Sequence, residues 1–129
     1  MMNQQHVQQL VTELYQAVDA KNVDYLDDKI ADNTRFRIGN YPAETNKSTI
    51  LEANRDFFGS IDSMRHTIED VFSQTFFNDG KPVDKITCFG HVDYVRLNGT
   101  EHSVFFSTFL EIENNKITDY LVFADISAL

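Results

Sequence analysis

Residues 88–112 read CFGHVDYVRLNGTEHSVFFSTFLEI. Before the Asn98-Gly99 pair, Cys88, Val92 and Tyr94 alternate with Phe89 and Val95; after it, Val104, Phe106, Thr108, Leu110 and Ile112 alternate with Phe105 and Phe109. A period of two sends successive side chains to opposite faces of a strand, and Asn-Gly between two such runs signals a tight hairpin turn. Both strands carry apolar residues on both faces. One layer of helices covers only one face of a sheet. The other face is expected to meet a second copy of the chain, giving a homodimer, or else to curl over its own rim.

The same period extends both ways from this hairpin. Upstream, Met64, His66, Ile68, Asp70 and Phe72 share one expected strand face, and Asn78-Asp79-Gly80 marks the turn that follows. Downstream, Asn114-Asn115 marks a turn into the run ending Leu121-Val122-Phe123-Ala124-Asp125-Ile126. The result is a meander of four long antiparallel strands. The first third is instead helical: Val7, Leu10, Val11, Leu14, Tyr15 and Val18 recur at helical spacing. Asn22 suits the cap of a short helix burying Leu26 and Ile30, and a brief strand is expected around residues 34–38. Thr49-Ile50-Leu51-Glu52 fits a capping box opening a third helix that buries Ile50, Ala53, Phe57 and Phe58. No repeat or linker interrupts the chain, so residues 1–129 read as one α+β domain.

With 42% hydrophobic and 24% charged residues, 129 residues suffice for one ordinary core. A net charge of −9 argues against nucleic acid and anionic membranes as partners. Cys88 is the only cysteine, so no internal disulfide forms. The first residues lack the basic start and apolar stretch of a signal peptide, and no apolar run reaches the ~20 residues of a membrane span. A cytoplasmic protein is expected.

The polar residues within apolar strands are the candidate chemistry. Asp125 shares a face with Leu121 and Phe123, where apolar walls would raise its pKa and make it a general acid or base; the alternative is a carboxylate tied to a backbone amide near the chain end, or simply exposed as the strand leaves the sheet. His91 and Asp93, two apart on one strand face, form a possible acid–base dyad or a solvated strand face. His66 sits at a strand start, as a rim residue of a pocket or a satisfied core histidine. Phe36, Phe57, Phe89, Phe106 and Phe123 are candidates to wall a cavity. His66, His91, Asp93 and Asp125 are metal-ligand types but show no tight ligand motif, so no metal and no cofactor are expected.

The order helix, short helix ending in Ile30-Ala31-Asp32-Asn33, strand, capped helix and curved meander resembles the NTF2-like superfamily, in its SnoaL-like branch. The local marks are Ala31-Asp32-Asn33-Thr34, Gly90-His91-Val92-Asp93, and Lys116-Ile117-Thr118 leading to Asp125. The resemblance implies an α+β cone with helices packed on a curved antiparallel sheet around a pocket, and often a dimer. It sets the general base of ketosteroid isomerases on Ile38, their tyrosine donor on Leu14 and their acid donor on Thr108, of which only Thr108 can hydrogen-bond a ligand. The Arg-x-Asp pair and last-strand aspartate of limonene epoxide hydrolases fall on His91-Val92-Asp93 and Asp125, while their water-positioning residues fall near Phe36 and Ile38. Two functions are therefore expected as alternatives. One is a cofactor-free isomerase, cyclase or hydrolase acting on a small apolar molecule through His91, Asp93 and Asp125. The other is a non-catalytic small-molecule binding or dimerisation module.

Overall fold

The computed structural model describes residues 2–129. Helix α1 (Gln4–Asp19) and the short α2 (Val23–Lys29) lead into strand β1 (Ile30–Ile38); α3 (Lys47–Ser60) then runs directly into β2 (Ile61–Asn78), followed by β3 (Lys81–Arg96), β4 (Glu101–Glu113) and β5 (Lys116–Ala124). The five strands form one curved sheet in the order β1-β5-β4-β3-β2. The expected α+β cone is observed. Neighbours from β2 to β5 are antiparallel, while β1 joins β5 in parallel, a pairing that local sequence does not announce.

Local chemistry accounts for the element ends. Asn22 caps α2 by accepting from the Tyr25 amide, as expected. The cap of α3 is Asn46, not Thr49: its side-chain oxygen accepts the Thr49 amide at 3.1 Å, so the helix begins one turn earlier than the capping-box reading. All three turn signals of the meander hold, and Asp79, Gly80, Gly99, Asn114 and Asn115 adopt the left-handed φ that such residues tolerate.

The inner sheet face and α1 enclose the core. Val7, Val11 and Leu14 from α1 meet Ile86, Val92, Leu110 and Ile117, all essentially inaccessible. Each buried aliphatic side chain of this size contributes about 1.5–3 kcal/mol.

One irregularity shapes the sheet. Ile68 pairs with Gly90 but Asp70 pairs with Phe89, so Glu69 is an extra residue and β2 bulges there. Met64, His66 and Ile68 face the helices before the bulge. Beyond it Val71 turns inward while Phe72 is exposed, so the face expected from uniform alternation does not persist through Asp70 and Phe72. The bulge presses the backbone of β2 against β3: a Cβ on Gly90 would lie 1.9 Å from the Thr67 carbonyl oxygen. Gly90→Ala is expected to cost about 3 kcal/mol, as overpacking against rigid backbone does, read as a lower urea midpoint with an unchanged slope.

Candidate functional site

Helix α1 ends its core-facing stripe with a carboxylate. Asp19, one turn beyond Tyr15, reaches β2 and accepts two hydrogen bonds from His66, from the backbone N–H at 2.9 Å and from ring Nδ1 at 2.6 Å. A carboxylate accepts, so Nδ1 carries a proton, and in the neutral form of the ring the lone pair is on Nε2. The His66 side chain is only 8% exposed. Its ring lies 4.4 Å from that of Tyr15, and the Phe106 ring meets it edge-on at 5.1 Å.

The Tyr15 hydroxyl hydrogen-bonds Thr108 Oγ1 on β4. Burial pushes the Tyr15 pKa well above the ordinary tyrosine value, and burial does the same to Tyr120, against a hydrogen bond with Tyr15 that lowers it. Tyr94 is pushed up by burial to about 12, helped by the Asp19 charge. All three phenols therefore keep their protons at neutral pH. Burial raises the Cys88 thiol to about 11, which removes it as a nucleophile.

His66 and the three tyrosines border a cavity of about 40 Å³ between α1, α3 and the inner sheet face. His66, Tyr15, Tyr94, Tyr120 and Asn54 supply its polar atoms, and Phe36, Phe57, Phe58 and Met64 are among its apolar walls. As it stands it has room for about three waters.

Of the residues singled out from sequence, Phe36, Phe57 and His66 line this cavity, while Thr108 and Phe106 lie behind it in contact with Tyr15. The others face elsewhere. Phe89 and Phe123 are exposed on the outer sheet face. His91 and Asp93 do sit together, Nε2 to Oδ2 at 3.7 Å, but on that same outer face, where Asp93 also accepts from Ser103. Asp125 lies past the end of β5 and is exposed, because the inward side chains of β5 are Tyr120 and Val122 rather than the odd-numbered set. It borders an open depression of about 640 Å³ with Tyr41, Phe105 and Phe123. Hydrogen bonds from Ser127, side chain and amide, hold its carboxyl below the usual range, opposite to the expected rise from apolar walls.

Leu14, the position expected for the isomerase tyrosine, is fully buried in the core, and its neighbour Tyr15 is the residue that meets Thr108. Ile38 lines the cavity and has no proton to exchange. The group sequence reasoning missed is Asp19 with Tyr15, Tyr94 and Tyr120. A signal existed: Asp19 continues the Val11, Tyr15 spacing of four, placing a carboxylate on an otherwise apolar helix face.

The raised tyrosines tie stability to alkaline pH. The unfolded chain releases phenolic protons from about pH 10, whereas folded Tyr94 holds its own to about 12 and Tyr15 and Tyr120 hold theirs more firmly. Their contribution is complete below the unfolded value and is lost as pH rises through the folded ones. Absorbance at alkaline pH is expected to show the buried tyrosines ionising together with loss of the circular dichroism signal.

Comparison with known proteins places this geometry in a family. Residues 11–120 match the SnoaL-like domain model. A search of curated protein sequences finds no match. Among solved structures, the chain is similar to a provisionally assigned scytalone dehydratase from Novosphingobium aromaticivorans, with TM-score 0.78, 6% identity, and 93% of this chain and 82% of that one covered. It is also similar to a provisionally assigned SnoaL-like polyketide cyclase from Shewanella putrefaciens, with TM-score 0.72, 13% identity, and 98% and 93% covered. A third is an epoxide hydrolase of the limonene epoxide hydrolase-like type from M. tuberculosis, with TM-score 0.69, 12% identity, and 91% and 80% covered. At these identities the structures share the fold alone, and the match over residues 11–120 decides the family: the chain belongs to the SnoaL-like domain family.

Proposed function

We propose that the cavity at His66 is the active site of a cofactor-free enzyme that moves a proton next to a carbonyl group in a small, largely apolar molecule. The observation that carries this reading is the 2.6 Å contact between His66 Nδ1 and Asp19, made inside an aromatic enclosure. Asp19 fixes the tautomer and stabilises the imidazolium that forms when Nε2 takes a proton. The developing enolate oxygen is received by tyrosine hydroxyls that burial keeps protonated, with Tyr15 oriented by Thr108. Isomerisation, dehydration and cyclisation all begin with this step. The structural relatives described as dehydratase and cyclase make such chemistry the natural first screen.

The test is deuterium exchange. A panel of small cyclic ketones, enones and β-hydroxy carbonyl compounds is incubated with the protein in D2O, and exchange beside the carbonyl is followed by NMR. His66→Gln is expected to slow exchange about 10³-fold, and Asp125→Asn to leave it unchanged. The small cavity supports a second reading, a binding module without turnover. Ligands that shift His66 resonances yet emerge unexchanged establish that reading instead.

We further propose that the outer sheet face is a dimer interface with a second copy of this chain. In register across the sheet, Phe105, then Phe89 and Phe123, then Phe72, Phe109 and Leu121 occupy three adjacent rows. Phe105 is 83% exposed. Charged rows flank them: Arg65 and Asp93 on one side, and the Lys85–Glu111 and Arg35–Asp119 ion pairs on the other. An apolar patch framed by both signs of charge suits a two-fold interface. Sedimentation equilibrium is expected to give a dimer, and Phe105→Asp a monomer with unchanged helix content. A monomeric wild-type chain refutes the interface.

A further inference from the structure

A second concavity, of about 550 Å³, lies where the start of α1 and the end of α2 approach the β2–β3 and β4–β5 turns. It is separate from the His66 cavity and shares no lining residue with it. Asp84 on the inner face of β3 borders it and is 5% exposed. One of its oxygens, Oδ1, accepts from Thr75 Oγ1 at 2.6 Å and from the Met2 amide at 3.3 Å. The other, Oδ2, has no hydrogen-bond partner among the described residues, and it belongs to a side chain that lines the concavity.

A carboxylate this far withdrawn from water attracts a cation that can hydrogen-bond its remaining oxygen. Two lysines of the lining carry the opposite charge. Lys29 and Lys81 border the same space and make no ion pair among the described residues; the Lys29 ammonium lies 5.8 Å above the Tyr25 ring. A simple amine attracted to Asp84 meets two like charges, and a simple acid attracted to the lysines meets Asp84. A molecule with both an ammonium and a carboxylate satisfies each group. Leu10, Pro82 and Ile112 supply apolar wall for the remainder of it.

We propose that this concavity binds a free aliphatic α-amino acid, with its ammonium on Asp84 Oδ2 and its carboxylate on Lys29 and Lys81. Calorimetric titration with L-leucine, 3-methylbutylamine and 4-methylpentanoate tests the three requirements separately. Leucine is expected to bind one-to-one, and each analogue at least about tenfold more weakly, as loss of a charged hydrogen bond implies. Asp84→Asn is expected to remove leucine binding. Should that variant not fold, Lys81→Ala, at the exposed start of β3, carries the test: it weakens leucine about tenfold and does not weaken the amine. No leucine binding at millimolar concentration overturns the proposal. So does leucine binding no better than either analogue, or equal leucine affinity in Lys81→Ala.

Discussion

The contact between Gly90 and the Thr67 carbonyl sets the geometry on which the rest of the fold depends. Two antiparallel backbones approach so closely there that no side chain fits on β3, and β2 absorbs the mismatch by inserting Glu69. A bulge of this kind bends its strand and shifts the alternation of everything beyond it. Before the bulge, β2 sends His66 inward, where Asp19 at the end of α1 can reach it. Beyond it, Val71 packs on the core while Phe72 joins the aromatic rows outside. The inward histidine and the outward phenylalanine are thus two consequences of one inserted residue.

The interior polar groups follow from the rule that buried donors and acceptors must be paired. Asp19 takes both N–H groups of His66, Tyr15 takes Thr108, and the tyrosines stay neutral because burial penalises their anions. Such a cluster costs stability relative to an apolar filling. Its arrangement, an imidazole with Nε2 free of Asp19 held among neutral phenols in an aromatic enclosure, suits proton transfer. Asp125 is the contrast: exposed and hydrogen-bonded by Ser127, it is a settled anion.

Much of the fold was legible because its signals are local. The α1 stripe, the Asn22 cap and the three asparagine-rich turns each depend on residues close in sequence. The parallel pairing of β1 with β5 was not legible, since it joins segments some eighty residues apart. The Asn46 cap was hidden by a capping-box pattern three residues later that satisfies the same rule. The site was less legible than the fold. Alternation grouped Leu121, Phe123 and Asp125 on one face but does not say which face is inside, and for β5 it is the other. His66 was noticed while its partner was not, because Asp19 and His66 are joined only by tertiary packing.

The most direct test of the proposed site is the tautomer of the neutral His66 ring, read from long-range proton–nitrogen NMR of the imidazole. The account predicts Nδ1 protonated, with its proton strongly deshielded by Asp19, and a bare Nε2. A ring protonated on Nε2 instead, with no deshielded Nδ1 proton, contradicts it, because His66 then has no lone pair to offer the cavity.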